Sequence, residues 1–445
     1  MTEPRILVEE LTRIAEAGDF EMFRERAERV HPSDLADAFA ALDEDLRVRL
    51  IERLPPELVS PALAEMEPEE GPLEVLEALP DERAADIVEE LAANDAADVI
   101  ADLPPERADT ILKLVDDREE IEDLLRYDED SAGGIMTTEL VSVRDDATAG
   151  EAIDEIRRQG ERVEDFYQVY CVDAQKRLVG LLPLRRIVCI PPDRPVTDVM
   201  EPAPVVAQPD LDQEEVARLM SHYNLAAVPV VDIGGRLIGR ITFDDVIDVV
   251  EAEQTEDLLK FGGASGDELL GGGWTSSVRK RLPWLLVNLI TASMAAFIIL
   301  LFKDAIEAIL ILAVLGPVIA GMGGNAATQA LAVTVRRLAL GQIPRERAVR
   351  VVGKELLVGL TNGLAVGLIV GVVASFTGTG YMLGIVVFLA VWGNIMIAGI
   401  AGASIPLMLD RLGLDPAVAS SVFVTAFTDM FGYFLILGLA SVMIL

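Results

Sequence analysis

The stretch AVASSVFVTAFTDMFGYFLILGLASVMIL (417–445) is 29 residues long and contains one charged side chain, that of Asp429. A helix of this length would extend about 43 Å, which exceeds the roughly 30 Å hydrocarbon core of a bilayer. Asp429 would then lie near the membrane midplane. A carboxylate is costly at that depth and survives mainly where ions or protons pass. The segment therefore predicts a membrane-spanning helix that carries a functional aspartate.

The apolar character of this segment extends over the last third of the chain. Residues 279–445 contain only 7 acidic and 11 basic side chains, and long apolar runs alternate with short polar connections. Runs of this length and hydropathy indicate membrane helices. We predict a transmembrane domain over 279–445 with five spans, at about 284–302, 308–333, 356–378, 381–409 and 417–445.

The charge of the rest of the chain is strongly negative. Residues 1–278 hold 67 acidic and 26 basic side chains, a net charge of −41. Such a surface repels nucleic acid and anionic lipid and attracts cations, so we expect no nucleic-acid partner and consider metal ions natural ligands. A solvated acidic surface is the simpler interpretation of the charge taken alone.

The orientation in the membrane follows from the basic residues. The acidic start of the chain contains no unbroken apolar stretch, so no cleaved signal peptide is expected. Basic residues cluster at 279–281 and 336–354, and Arg411 lies between the last two spans. The positive-inside rule then predicts a plasma-membrane protein with a cytoplasmic N-terminus and an external C-terminus. In a reducing compartment Cys171 and Cys189 are expected to be free thiols.

Residues 1–130 contain a repeated Leu-Pro unit. LPPELV begins at Leu54, LPDERAADIVEEL at Leu79 and LPPERADTILKLV at Leu103, with spacings of 25 and 24 residues. A turn that reopens a helix at this period is typical of stacked helices that bury their apolar faces on their neighbours. We predict an acidic helical superhelix that serves as a scaffold.

Residues 131–199 and 200–250 contain a tandem repeat. YCVDAQKRLVGLLPLRRIV (170–188) aligns with PVVDIGGRLIGRITFDDVI (229–247) at an offset of 59, while Met136 precedes Met200 by 64. Each copy has a strand, helix, strand, strand, helix pattern and resembles a cystathionine-β-synthase (CBS) domain, a regulatory module that often binds adenine nucleotides. The resemblance implies that a nucleotide such as ATP contacts the G-x-x-[ST]-x-x-D signature of the second copy, Gly239, Thr242 and Asp245.

The first copy has lost this signature. Pro183 and Arg186 stand where the hydroxyl and the carboxylate are expected, so one nucleotide site at most is predicted.

The second span contains GPVIAGMGGNAATQA (316–330), in which Pro317 and four glycines interrupt an apolar helix. Small residues allow tight helix packing, which accounts for the glycines. The polar side chains of Asn325, Thr328 and Gln329 are better explained by a water-filled pathway. Asn394 and Ser421 are weaker polar candidates. Carboxylate, amide and hydroxyl ligands without Cys or His favour Mg2+, Ca2+ or Mn2+.

The order of these segments, with GMGGNAATQ in span two and LGLDPAVASSVFVTAFTDMFG in span five, resembles the MgtE magnesium channels over essentially the whole chain. The resemblance implies a homodimer with its pore on the two-fold axis. Hydrated Mg2+ would bind Asp429, with Asn325 and Ser421 as further pore candidates. Ser421 replaces the asparagine that is usual in the family.

The resemblance also implies that cytosolic Mg2+ closes the pore by bridging acidic residues. The connecting helix would lie at 248–261, followed by a glycine-rich linker, so that residues 251–278 join the soluble and membrane domains. Asn94 and Asn224 stand where the family pattern has aspartates. The matching sensor positions are Asp98, Asp212, Glu214, Asp245, Asp248, Glu256, Asp257 and Asp415.

The predicted fold class is a multidomain membrane protein, with a cytosolic α-helical superhelix and an α/β CBS pair followed by a five-helix transmembrane domain. The chain contains no nucleophile elbow, P-loop or metal-hydrolase motif, and we predict a channel and not an enzyme. Two alternatives stay open. Asp429 could relay protons in a proton-coupled divalent-cation carrier, or the CBS pair could make the chain a nucleotide-sensing membrane receptor.

Overall fold

The computed structural model describes residues 4–66, 71–116, 118–161, 163, 166, 168–262, 264, 274–340, 342–343, 348–377 and 380–445, with the side chains of 4, 5 and 417–421 excepted. The chain divides into two compact units, Met1–Ala252 and Glu253–Leu445.

The first unit begins with short helices that pack mainly on the next helix but one, α1 on α3, α3 on α5, α5 on α7 and α7 on α9. Leu54, Leu79 and Leu103 of the repeated unit are all buried, and a proline caps or opens the helix that follows each. Stacking of this kind is the predicted superhelix. Its helices are Pro4–Glu16 (α1), Phe20–Ala27 (α2), Pro32–Ala40 (α3), Glu44–Ile51 (α4), Pro56–Ala64 (α5), Pro72–Ala78 (α6), Asp81–Glu89 (α7), Ala93–Asp102 (α8), Pro105–Leu112 (α9) and Arg118–Leu124 (α10).

Two arginines of the repeated unit connect successive turns of the superhelix. Arg83 donates to the carbonyls of Ile51, at 3.1 Å, and Leu54. Arg107, 24 residues later, donates to the carbonyls of Leu76, at 2.9 Å, and Leu79. Carbonyls at the end of a helix lack partners within the helix, and these guanidinium groups supply them. The repeat therefore specifies polar contacts as well as a buried leucine.

The tandem repeat folds into two small sheets. The first copy contains Ser142–Arg144 (β1), Ala149–Gln159 (α11), Val169–Val172 (β2), Leu178–Leu182 (β3), Leu184–Ile187 (α12) and a 3-10 turn at Val196–Asp198. The second contains Gln213–Tyr223 (α13), Ala227–Val231 (β4), Leu237–Thr242 (β5) and Phe243–Phe261 (α14). β1 pairs with β2 in parallel, and the β2–β3 and β4–β5 pairs are antiparallel.

The first strand predicted for the second copy is reduced to one bridge. Ala207 pairs in parallel with Val230, as Val143 pairs with Cys171 in the first copy. Pro204 and Pro209 flank the position and cannot donate backbone hydrogen bonds, which limits the strand.

Each copy completes the sheet of the other. Thr137, near the start of the first copy, pairs with Arg240 of β5, and Glu201, at the start of the second copy, pairs with Leu181 of β3. A Cβ at Gly239 would lie 2.9 Å from the carbonyl oxygen of Thr137. The equivalent residues of these two pairs, Thr137 with Glu201 and Leu181 with Arg240, are separated by the same 64 and 59 positions as the sequence repeat. The close backbone approach explains why Gly180 and Gly239 are glycines.

The connecting helix is not a separate element, because α14 runs without a break from Phe243 to Phe261. The glycine-rich linker that follows lies outside the described residues at 263 and 265–273.

The second unit contains five described helices that are long and apolar enough to cross a membrane. The connection between the first two predicted spans, KDAIE (303–307), is helical, because Lys303–Ala308 forms α16. α17 is also continuous, so the glycines and Pro317 of the second span do not break the helix. The long helices are Trp274–Leu301 (α15), Ile311–Ala339 (α17), Ala348–Ser375 (α18), Tyr381–Arg411 (α19) and Pro416–Met443 (α20).

Glycines allow α18 and α19 to pack closely. A Cβ at Gly359 would lie 2.9 Å from the carbonyl oxygen of Ile395, and one at Gly367 would lie 3.0 Å from that of Phe388. Trp392 of α19 donates its indole N–H to the carbonyl of Leu360 at 3.1 Å. Close backbone approach of this kind is a common means of helix association in membranes.

Candidate functional site

Asp429 lies on α20, which packs against α17. A Cβ at Gly432 would lie 3.1 Å from the Cα atom of Ala320, and Val424 packs against Ala327 in a small buried cluster. This antiparallel register places Asp429 at the level of Gly323. Its side chain is half-buried, and among the described residues it makes no hydrogen bond or ion pair. The carboxylate is therefore free to bind a cation.

The polar motif of α17 lies on an open face of the helix. Asn325, Thr328 and Gln329 are exposed on the single chain, and Cβ atoms at Gly321 and Gly324 would have nothing within 4 Å. The other two glycines support packing, since Gly316 lies against Tyr433 and Gly323 against Asn394. Both interpretations of the motif thus apply, each to a different face. Ser421 belongs to α20, but its side chain lies outside the described residues.

Asn394 has a packing role. It is fully buried between α17 and α20, and its Nδ2 donates to the carbonyl of Ile319 at 2.9 Å. A Cβ at Gly323 or Gly432 would collide with it. Its Oδ1 has no hydrogen-bond partner among the residues that the structure describes. Asn394 therefore holds α17, α19 and α20 together close to the depth of Asp429. It does not line an open surface.

Acidic side chains converge where α8 of the superhelix lies near the start of α14. Burial and the neighbouring Asp245 raise the pKa of Asp95 to about 7. Burial also raises the pKa of Asp245 to about 6, although Thr242 donates to its carboxylate. Partial desolvation and the nearby carboxylates of Glu129, Asp102 and Asp245 raise the pKa of Asp98. The side chain is exposed at the surface, so solvent screens this repulsion.

Asp95 was not among the sensor residues predicted from the sequence. The adjacent Asn94 is only 7% exposed, and its Nδ2 donates to Asp95 Oδ1 at 3.0 Å. Within the described part of the chain, the Oδ1 atom of Asn94 has no hydrogen-bond partner. The resemblance to the family had identified Asn94 as a position where an aspartate is replaced. The signal that could have identified Asp95 is its position, because it is one residue further along α8 and on a helix whose Asp98 was already a candidate.

The nucleotide signature of the second copy faces the protein. Gly239 packs against Met136 and Thr137, and the Asp245 carboxylate accepts hydrogen bonds from the hydroxyl and the backbone N–H of Thr242. In the first copy, Arg186 makes a 2.5 Å ion pair with Glu201. Arg186, which stands at the position of the signature carboxylate, is thus engaged in an ion pair within the protein.

The predicted sensor residues Asp212 and Glu214, and Asn224, which stands where the family pattern has an aspartate, have local structural roles. Asp212 caps the N-terminus of α13 by accepting from the backbone N–H of Glu214 at 2.9 Å. Asn224 ends the same helix in the left-handed conformation, with φ of 53°. Asparagine tolerates this conformation well, which accounts for its presence.

Three of the remaining sensor candidates, Asp248, Glu256 and Asp257, lie on α14, and the fourth, Asp415, lies in the loop between α19 and α20. Asp248 is exposed, and burial and Glu65 raise its pKa. Burial and Asp415, in the loop between α19 and α20, raise the pKa of Asp257. Lys260 donates to Asp415 Oδ2 at 2.8 Å and pairs with Glu256 Oε1 at 2.5 Å. Burial alone would lower the pKa of Lys260, but these two carboxylates raise it.

Over the described residues, no three Asp, Glu, His or Cys side chains come together in a geometry that could hold a metal ion. The acidic residues of α8 and α14 are therefore neighbours without forming a closed coordination shell. Metal binding there requires rearranged side chains or retained waters. Mg2+ commonly keeps several of its waters in proteins.

A five-helix membrane domain, in which Asp429 has no ion-pair partner among the described residues, preceded by an acidic soluble unit with a CBS-type pair, defines a membrane transporter for cations. Three family matches agree with this assignment: the divalent cation transporter family MgtE over 316–439, the MgtE intracellular N domain over 30–130, and the CBS domain over 132–192 and 196–252. The chain belongs to the MgtE family of magnesium transporters, which are not enzymes.

The relatives support this over nearly the full length. The magnesium transporter MgtE of Thermus thermophilus is 35% identical over 433 residues, 96% of each chain. That of Enterococcus faecalis is 35% identical over 322 residues, which are 72% of this chain and 71% of the relative. A crystal structure of the cytosolic domain of the Mg2+ channel MgtE in complex with ATP covers 54% of this chain and 99% of that chain, with 38% identity and a TM-score of 0.51.

Proposed function

We propose that this transporter is a Mg2+-selective channel that imports magnesium across the plasma membrane and is closed by cytosolic Mg2+. The half-buried Asp429 carboxylate, which has no ion-pair partner among the described residues, is the observation that carries the proposal. Mg2+ dehydrates reluctantly and is often held through its waters by one or two carboxylates. A single aspartate per chain suits such an ion.

The exposed polar face of α17 supports a homodimer. Asn325, Thr328 and Gln329 cannot face hydrocarbon without losing their hydrogen bonds, so a second copy and a water-filled pore are expected to cover this face. Asp429, Asn325 and Ser421 of both copies would then line a pore on the two-fold axis. Basic residues at the connections between spans favour a cytoplasmic N-terminus and an external C-terminus.

Closure by Mg2+ follows from the charge of the soluble unit. Packing α8 against the start of α14 brings Asp95, Asp98 and Asp245 together, and their repulsion grows as water is excluded. Divalent ions that bind this compact state select it. The proposed sensor comprises Asp98, Asp212, Glu214, Asp245, Asp248, Glu256, Asp257 and Asp415, and the structure adds Asp95 as a candidate.

We further propose that ATP binds the second CBS copy weakly. The ATP complex of a related cytosolic domain supports nucleotide binding in the family. In this chain Asp245 accepts from Thr242 and neighbours Asp95, so a ribose would compete with the compact state of the sensor.

The experiment that tests the transport mode measures Mg2+ uptake into proteoliposomes that contain the purified chain. A channel requires no pH gradient, whereas a proton-coupled carrier stops when the gradient is collapsed by a protonophore. Uptake that persists without a gradient supports the channel. Uptake that is abolished by the protonophore would establish the carrier and overturn the proposed mode. A chain that moves no cation under either condition would favour the receptor alternative.

A further inference from the structure

A polar cleft opens between α17, α18 and α19. Its volume is about 250 Å³, and its walls include Gln329, Lys354, Glu355, Asn362 and Ile395. A water occupies roughly 30 Å³ in the liquid, so the cleft has room for about eight waters or for one hydrated ion. Gln329 also belongs to the exposed polar face of α17, whereas the other four residues belong neither to the proposed sensor nor to the proposed pore.

Glu355 is the notable residue of this cleft, because it is an acid buried in a membrane helix. It is only 7% exposed and lies about 10 Å along α18 from the start of the helix at Ala348. Its carbonyl oxygen lies 2.7 Å from where a Cβ at Gly399 would be, so α19 presses closely on this turn. A buried ionisable group in a membrane segment usually marks an ion pathway.

The polar contacts of Glu355 leave its charge poorly compensated. Within the described part of the chain its ion-pair partner is the adjacent Lys354, with 3.5 Å between Nζ and Oε1. The side chain of Lys354 is 60% exposed, so its ammonium group lies at the rim of the cleft. Solvent weakens such a pair considerably. The carboxylate thus has hydrogen-bonding capacity that the described residues do not satisfy.

The other polar walls supply oxygen ligands. Gln329 and Asn362 are exposed on α17 and α18, and both residues line the same cleft as Glu355. Asn362 lies about 21 Å along α18, so the cleft extends from near the helix end to about mid-membrane. Carboxylate and amide oxygens without Cys or His are ligands for hard cations. A lipid phosphate would instead be repelled by Glu355.

We infer that this cleft is a second cation site of the membrane domain, in which Glu355, Gln329 and Asn362 hold a hydrated divalent cation within each chain. A divalent ion displaces the weak Lys354 pair more effectively than a monovalent one, because its attraction to the carboxylate is twice as large. The inference rests on the proposed function only in taking Mg2+ as the ion. The site lies apart from Asp429, so either assignment can fail alone.

Thiol labelling in lipid nanodiscs tests the site without measuring transport. In a full-length chain with Cys171→Ala and Cys189→Ser, a cysteine at Val358 reports on the cleft, which Val358 lines. A cysteine at Leu357, which is 64% exposed and does not line the cleft, is the matched control. A cationic, membrane-impermeant thiol reagent should modify the Val358→Cys chain and spare the Leu357→Cys chain.

Added Mg2+ should then slow labelling of Val358→Cys about tenfold at ten times its Kd, because about one site in eleven stays empty. Glu355→Gln should remove this protection, whereas Glu355→Asp should retain part of it and Asp429→Ala all of it. Protection that survives in Glu355→Gln would mean that Mg2+ acts elsewhere, by closing the channel, and would overturn the inference. A Val358→Cys chain that is unreactive in nanodiscs would overturn it too, and reactivity gained only in detergent would identify a lipid as the occupant.

Discussion

Lys260 Nζ donates to Asp415 Oδ2 at 2.8 Å, and the two residues are 155 positions apart in the chain. The contact joins the end of α14 to the loop between α19 and α20. Glu256 completes the arrangement from one turn back on α14. An ammonium group thus occupies the position between two of the proposed sensor carboxylates, where a metal ion is expected to act. Lys260 is a tethered counter-ion for the same charges.

Replacing Lys260 should loosen the end of α14 when Mg2+ is absent. Hydrogen bonds to charged groups contribute about 1.5–3 kcal/mol each, so Lys260→Met should increase hydrogen exchange of the 253–261 amides by about tenfold or more. Mg2+ should restore protection at a lower concentration than in the parent, because it no longer competes with the lysine. Lys113→Met, at an exposed position of the superhelix, is the control. Unchanged exchange in Lys260→Met would show that the ion pair contributes nothing to packing.

Asp429→Asn should abolish most Mg2+ uptake while leaving the chain folded. The amide keeps the shape but removes the charge that attracts a hydrated divalent ion at mid-membrane depth. Asn325→Leu should reduce uptake less, since it removes a neutral ligand. The measurement is Mg2+ flux into proteoliposomes, with gel filtration and circular dichroism as the check on folding. Parental flux in Asp429→Asn would remove Asp429 from the pathway.

The stability of the acidic soluble unit should fall as pH rises from about 4 to about 7. The pKa of Asp95 is raised to about 7 and that of Asp245 to about 6. The folded state therefore holds more protons than the unfolded state in this window, and stability is lost as these protons leave. Thermal unfolding of the full chain without divalent ions should occur at higher temperature at pH 5.5 than at pH 7.5.

Asp95→Asn tests the origin of that pH dependence. The variant should flatten the profile and stabilise the unit at pH 7.5 by about 1 kcal/mol, because one pKa unit corresponds to about 1.4 kcal/mol. Mg2+ should stabilise the parent more at pH 7.5 than at pH 5.5. The exposed Asp109→Asn substitution on α9 should leave the profile unchanged. A steeper profile in Asp95→Asn would contradict the proposed repulsion.

Neutralising Asp98, Asp248 and Asp257 together, each to asparagine, should leave the channel open at high internal Mg2+. The compact state would lose its preferential affinity for the ion, and the ligand could no longer shift the equilibrium. Limited proteolysis of the 253–272 segment reports the change: Mg2+ should protect it in the parent and much less in the triple variant. Protection that does not depend on Mg2+ in either protein would mean that the acidic unit is a solvated scaffold and does not sense Mg2+.

ATP should bind at Gly239, Thr242 and Asp245 with a Kd in the millimolar range, because Asp245 is already hydrogen-bonded within the protein. Calorimetry on the full chain should show heat that Thr242→Ala removes and Ser142→Ala does not. Mg2+ held constant in both cell and syringe separates nucleotide binding from sensing. No heat at millimolar ATP from folded protein would eliminate the site.

Several features of this protein could be predicted from the sequence because they depend on local patterns. Five apolar stretches identify membrane helices by length and hydropathy alone, and a lone charge such as Asp429 is visible in an apolar run. The Leu-Pro spacing and the 59-residue offset identify repeats, whereas the contacts of Gly180 and Gly239 across the two copies became visible only in the structure. Periodicity and charge are properties of adjacent residues, so no knowledge of distant contacts is needed.

The tertiary structure alone decided which polar groups lie in water and which do not. Asp95 was not predicted as a sensor residue, because its neighbour in space, Asp245, is 150 residues away in the chain. Glu355 was placed just outside the third predicted span, although packing of α18 on α19 buries it. Asn394 was expected to be polar lining but packs between helices. Desolvation depends on atoms brought together by packing from separate parts of the chain, and the energetic cost of an unpaired polar group exists only in that packed environment.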